Sequence, residues 1–335
     1  MPNIKEVASK AGVSVATVSR VLSNKPNVRP EVRERIQQII QDLGYRPSRI
    51  AGNMRNQSSN VVALMISDIR NPFFTAMARA IEDVANNQDM SIFLCNTDEN
   101  LEKEQIYLKT LLEERVAGII LSPTRENGTA FEFLIESAIP LVTIDRRITG
   151  LDVDSVLSDN VQAAYLLTQH LIQRGYERIG AIIGLKESTT GRERGQGFQL
   201  ALEDHGLKPD PRFHTYVYPQ ESEAELIVDE WLQSDERPDA IITGNSRLTI
   251  GVLNSIQKRG LVIPQDIALA GFDETPWMRH AASGITVISQ PTYEMGKTAA
   301  DLLFKRIVDP QRPSREVILK GTLIERGSTA AKLKR

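Results

Sequence analysis

Apolar residues at the start of the chain keep a helical spacing. Ile4, Val7, Ala8 and Ala11 stand at i, i+3, i+4 and i+7 and make one stripe. Asn3 is placed to accept a free N–H at the helix start, and Gly12 to end the helix with positive φ. Ser14 then caps a second helix whose inner face is Val18, Val21 and Leu22. At about 100° per residue, Ala16, Ser19 and Arg20 point the opposite way, with Val15 and Thr17 on the flanks. A third helix is predicted from Pro30 to Leu43, with Val32, Ile36, Ile39, Ile40 and Leu43 as its stripe and Gly44 as its stop. The three helices share one small core.

Residues 45–60, YRPSRIAGNMRNQSSN, break that pattern. Pro47 ends one element, Ser48 caps a short segment, and the polar run to Asn60 reads as linker. Gly52 and the want of anything for the segment to bury against predict coil for residues 48–55 in the free protein, becoming helical only when held by DNA and a partner chain. From Val61 onward short apolar runs alternate with amphipathic stretches: VVALMIS, SIFLCN, VAGIILS, PLVTID, RIGAIIG, HTYVY, DAIITG, IALAGF and ITVIS. Near-continuous Val, Ile and Leu runs separated by helices predict parallel sheets covered on both faces. About 270 residues with nine or more strands exceed one compact sheet, so the α/β body is expected to hold two doubly wound subdomains with a cleft between them. Ligands of such sheets lie beyond the carboxyl ends of the strands.

Composition adds exclusions. At 335 residues, with 41% hydrophobic and 25% charged residues, the chain is an ordinary globular one of two or three domains. No apolar run approaches a membrane span, and no leader pattern opens the sequence, so a cytoplasmic protein is expected. Cys95 is the only cysteine, which leaves no intrachain disulfide and no cysteine metal cluster. The first sixty residues carry ten basic and four acidic side chains, a net +6 that leaves −9 for the rest. A basic head on an acidic body is the electrostatic outline of a protein that places one end on phosphates. The first predicted strand is followed by no glycine, no phosphate-binding loop occurs, and His170, His205, His214 and His280 are scattered. No catalytic residue, metal site or cofactor is therefore expected. A solute-binding protein of a sugar transporter, the alternative reading, would have a secretion signal where this chain has its basic headpiece.

VASKAGVSVATVSRVL resembles the helix-turn-helix signature of the LacI/GalR family of bacterial transcription regulators, and LGYRPSRIAGNM resembles its third-helix end and hinge helix. NPFF at 71–74, ERGQGF at 193–198 and GFDE at 271–274 are further landmarks, so the likeness runs over essentially the whole chain. It implies an N-terminal three-helix headpiece over 1–47, a hinge and linker over 48–60, and a periplasmic-binding-protein-like (type I) body over 61–335. That body would divide into one subdomain of about 61–160 and 291–321 and another of about 161–290 and 322–335. It also implies a homodimer on a near-palindromic double-stranded operator, whose affinity for DNA changes, in either direction, when a carbohydrate-type effector enters the cleft. Val15, Ala16 and Arg20 occupy base-reading positions by this resemblance; Arg20 suits a guanine O6/N7 edge, and Val15 and Ala16 suit thymine methyls. Ser14, Thr17 and Ser19 match phosphate-holding positions. Arg49, Ala51 and Met54 match the hinge that enters the minor groove, with Met54 where the family usually has a wedging leucine.

In the body, Phe73 and Phe74 match aromatic positions of the effector pocket, Tyr218 an often aromatic one, and Asp145, Arg194, Asn245 and Asp273 polar contacts able to pair with vicinal hydroxyls. In GNSRL the family's usual aspartate is Ser246, and Arg247 follows it. With Arg146, Arg147, Arg192 and Arg194 expected near the same mouth, Arg247 points to an anionic effector, a sugar phosphate or sugar acid. The short tail after Arg326 predicts a dimer without a tetramerising heptad bundle.

Overall fold

The computed structural model describes residues 2–22, 25–45 and 59–332. The chain divides into two units, residues 1–59 and 60–335. In the first, α1 (Ile4–Ala11) starts where Asn3 Oδ1 accepts from the Lys5 and Glu6 amides at 2.9 and 3.1 Å. It stops at Gly12, whose φ of 61° is one that a side chain disfavours. Ser14 Oγ accepts from the Thr17 amide at 3.2 Å and so caps α2 (Val15–Leu22). α3 (Pro30–Leu43) has proline in its first turn and ends at Gly44, φ 59°. Val7, Ala8, Ala11, Val18, Val21, Ile36 and Tyr45 form the common core, with the other stripe residues partly buried around it. Arg49, Ala51 and Met54 of the expected hinge, with the rest of residues 46–58, lie outside the described residues.

The second unit holds two six-stranded sheets. The first is ordered β11-β5-β4-β3-β1-β2, from β1 (Val61–Ile66), β2 (Ser91–Asn96), β3 (Gly118–Leu121), β4 (Leu141–Ile144), β5 (Asp154–Ser158) and β11 (Glu316–Leu319). The second is ordered β12-β10-β9-β8-β6-β7, from β6 (Ile179–Ile183), β7 (His214–Tyr216), β8 (Ala240–Thr243), β9 (Ala268–Phe272), β10 (Thr286–Ser289) and β12 (Thr322–Ile324). The two orders correspond strand for strand except in the direction of the edge strands β11 and β12, and the sequence shows no readable repeat to match. All pairings are parallel except β10 with β12, which is antiparallel. Strand β1 shows why its run is apolar throughout: Val62, Leu64 and Ile66 enter one core, and Val61, Ala63 and Met65 enter the core on the opposite face. β5, β11 and β12 were not among the predicted runs; DSVLS, EVIL and TLI are too short and too polar at their ends to stand out.

The chain passes between the two layers three times, at 158–160, 289–292 and 319–322. The helices that matter for the cleft are α4 (Pro72–Asn86), α5 (Leu101–Glu113), α7 (Asn160–Gln173), α8 (Thr189–Asp204), α9 (Glu221–Trp231), α10 (Ser246–Lys258) and α11 (Thr292–Val308), α6 being the short Glu132–Glu136. No helix among the described residues is long and apolar enough to cross a membrane.

Candidate functional site

Two surfaces present chemistry. On α2, Ala16 and Arg20 are exposed and Val15, Thr17 and Ser19 half-buried, as the helical phase requires. Val15 also packs on the headpiece core. The Ser14 and Thr17 hydroxyls lie 3.0 Å apart at the helix start. The helix thus offers solvent a small, hydroxylated face with a guanidinium in its last turn.

The second surface is a cavity, partly open to solvent, between the two sheets of the larger unit. Eight of the polar groups lining it follow a strand's carboxyl end: Asp68 and Asn71 after β1, Glu99 after β2, Asp145 and Arg146 after β4, Asn245 after β8, Asp273 after β9 and Gln290 after β10. Asn71, Ser188 and Asn245 accept from the amides of Phe73, Gly191 and Leu248, so they cap α4, α8 and α10 and aim three helix starts at the space. Gly191 is needed there, because a Cβ would collide with the Leu185 carbonyl.

Asp145 and Asp273 are counterparts in the two layers. Each follows its strand with positive φ, 69° and 70°, and each amide bonds to the next strand, to Val156 O at 2.8 Å and Ile288 O at 3.1 Å. Asp273 accepts from Gln290 Nε2 at 2.6 Å, and Gln290 Oε1 accepts from Ser158 Oγ at 2.5 Å. Asp145 is less well provided for. Its Oδ1 is buried without a partner among the described residues, and its Oδ2 is 3.6 Å from Arg146 Nε. Burial pushes the Asp145 carboxyl up to about 6, against the pull of Arg146 and Arg194. Burial raises Asp273 as well, with Arg194 opposing. Arg194 lies over the Phe272 ring at 4.2 Å and donates to Asn160 Oδ1 at 2.9 Å and to Gly244 O. Phe73 and Phe74 meet edge to face at 5.1 Å and supply the apolar wall, both being also part of the core.

Of the eight expected pocket residues, Phe73, Phe74, Asp145, Arg194, Asn245, Arg247 and Asp273 line the cavity. Tyr218 does not; its hydroxyl donates to Asp98 O at 2.6 Å, and Pro219 takes the place in the lining. The expected cationic mouth is not formed either. Arg146 makes a two-pronged bond to Glu99 at 2.6 and 2.7 Å, and Arg247 pairs with Asp68. Arg147 and Arg192 fall outside the lining, held by Glu193 and Glu316 and by Glu126. The lining therefore holds four carboxylates against three guanidiniums. Asp68, Asn71, Glu99 and Gln290 escaped the sequence reading. NPFF marked Asn71's place, but nothing local marked the other three.

Residues 3–48 match the family model for bacterial regulatory proteins of the lacI family. Residues 59–326 match the model for periplasmic binding proteins and the sugar-binding domain of the LacI family. The ribose operon repressor of Halalkalibacterium halodurans is 35% identical over 310 residues, 92% of this chain and 91% of that one. A LacI-family regulator from Enterococcus faecium, solved with bound ribose, is 27% identical with a TM-score of 0.72, covering 81% of this chain and 99% of that one. The Lac repressor dimer bound to operator and the anti-inducer ONPF has a TM-score of 0.86 over 98% of this chain and 99% of that one; at 22% identity it speaks for the fold alone. The chain belongs to the LacI family of bacterial transcriptional regulators, with the helix-turn-helix in its first unit and the sugar-binding domain in its second.

Proposed function

We propose that this regulator represses carbohydrate genes from the cytoplasm by holding a near-palindromic operator as a homodimer, and that a neutral monosaccharide of pentose size tunes its grip. It works by binding alone, with no catalytic step. Val15, Ala16 and Arg20 read bases; Ser14, Thr17 and Ser19, with Arg49, Ala51 and Met54 of the hinge, position the duplex. In the pocket Asp145, Arg194, Asn245 and Asp273 bind hydroxyls against the Phe73 and Phe74 wall. The observation that carries this reading is Asp145 Oδ1, a buried acceptor without a donor among the described residues, beside Arg146 and Arg247, which are paired with Glu99 and Asp68. A hydroxyl supplies that donor, whereas a phosphate would bring negative charge to a lining that has no cationic excess. The ribose bound in the Enterococcus faecium relative, and the ribose operon named for the Halalkalibacterium halodurans repressor, agree with a neutral ligand.

A second copy has a natural seat on the first sheet. Its edge strand β2 exposes Phe93 and Leu94, one on each face, 46% and 44% accessible, which a free edge normally avoids. Ligand moves the equilibrium between lobe arrangements only by its differential affinity for them. The test is a gel shift on the DNA upstream of the gene, with and without sugar, beside calorimetric titration with ribose and ribose 5-phosphate. A sugar-dependent shift with tight binding of ribose is expected. Binding of the phosphate ester alone would end the neutral-sugar reading, and no shift on any fragment would end the operator reading.

A further inference from the structure

Four charged side chains cross one wall of the cavity as a ladder of alternating sign. Arg70 Nε lies 3.0 Å from Asp68 Oδ1, Asp68 Oδ2 meets Arg247 Nη1, and Arg247 Nε is 3.4 Å from Glu221 Oε1. The two inner rungs are buried, with side chains 11% and 10% accessible, and both line the cavity. The outer rungs, Arg70 and Glu221, face water at 56% and 41%. Arg70 and Asp68 follow β1 of the first sheet, whereas Glu221 and Arg247 begin α9 and α10 on the second. Beside them Ser246 Oγ donates to Asn71 Oδ1 at 3.2 Å, again from one lobe to the other. The bond between lobes is thus direct, side chain to side chain.

A buried ion pair that links two moving bodies normally strands a charge on each when they part, at several kcal/mol per ion. Here it does not. On separation Asp68 keeps Arg70 and Arg247 keeps Glu221, so each lobe leaves with a neutral pair of its own. Burial tends to raise the Asp68 carboxyl, yet its bonds from Arg70 and Arg247 hold it below the ordinary range, so it stays charged for both partners.

We propose that this ladder is a reversible clasp between the lobes, the gate through which the effector passes, and that Arg247 is a positioning residue and not an effector ligand. The proposal rests on the cleft being the effector site, and its test separates the two ideas. Spin labels at Glu102→Cys and Glu223→Cys, exposed positions on opposite lobes, report the interlobe distance in full-length chains on a Cys95→Ala background. Labelled chains are diluted with unlabelled ones so that a dimer carries one labelled copy. Without sugar, Arg247→Gln and the isosteric Asp68→Asn should each shift the population to the longer distance. Arg70→Gln and Glu221→Gln should shift it to the shorter one, because they remove the standby partners of the open form. A residue of merely structural importance would not produce opposite signs. Ribose added to the same samples should exchange at least tenfold faster in Arg247→Gln than in the parent. Unchanged distances in both inner variants, or the same sign for inner and outer ones, would overturn the clasp whatever the sugar does. If the inner variants open and the outer ones close while ribose moves no sample, the clasp stands and the pentose reading falls.

Discussion

Lowering the pH should loosen the sugar and tighten the fold through one side chain, Asp145. Its carboxyl titrates near 6 in the folded protein, against an ordinary 3.8, because burial disfavours the charge more than Arg146 and Arg194 restore it. The shift of about 2 pH units corresponds to about 3 kcal/mol carried by the ionised group in the folded state. The sign is the reverse of the usual carboxylate. Above about pH 6 both folded and unfolded chains are ionised and the penalty is present in full; as pH falls from about 6 towards 4 the folded chain takes up the proton first, and stability rises. Asp145→Asn should therefore be more stable than the parent by up to about 3 kcal/mol at pH 7, and the difference should shrink to near zero by about pH 4. A sugar hydroxyl needs the ionised acceptor, so parental affinity should be flat above about pH 6 and weaken about tenfold per unit below it. At pH 7 the variant should bind about 10- to 150-fold more weakly, the loss of one charge-assisted hydrogen bond of about 1.5–3 kcal/mol, with no pH dependence from this site. Urea unfolding and calorimetric titration from pH 4.5 to 8 measure both quantities. Parallel pH profiles for parent and variant would refute the reasoning, since no other change separates the two chains.

Two further outcomes follow from groups outside the pocket. Arg20→Ala should cost about 1–3 kcal/mol at one or two base pairs of the operator, read by competition with single-base operator variants; an equal loss on every sequence would make Arg20 a phosphate contact. Asp154, fully buried, accepts from Arg306 Nε at 2.6 Å, Arg312 Nη1 at 3.1 Å and the Arg315 amide at 2.9 Å. Asp154→Asn leaves two guanidiniums facing a neutral amide and should lower urea stability by about 3–5 kcal/mol; a loss under 1 kcal/mol would mean the arginines find water instead.

The headpiece was legible almost to the residue. Its signals are local: Asn3, Gly12, Ser14, Pro30 and Gly44 sit next to the helix ends they set, and the stripes of α1 to α3 need only helical periodicity. The long apolar strands were legible for the same reason, and β5, β11 and β12 were not, because pairing with distant strands holds them in place. The site divides along the same line. Phe73, Phe74, Asp145, Asn245 and Asp273 lie at strand ends or helix starts, where a parallel sheet of this kind collects its ligand groups, and the resemblance to the family singled them out there. The charge of the pocket was beyond such reading. Five arginines close to the expected mouth suggested a cationic cleft, yet Asp68 reaches Arg247 across 179 positions and Glu99 reaches Arg146 across 47. Periodicity and caps are properties of neighbouring residues and are written in the chain; which carboxylate neutralises which guanidinium depends on how two sheets meet, and Coulombic pairing across that gap exists only once the chain has folded.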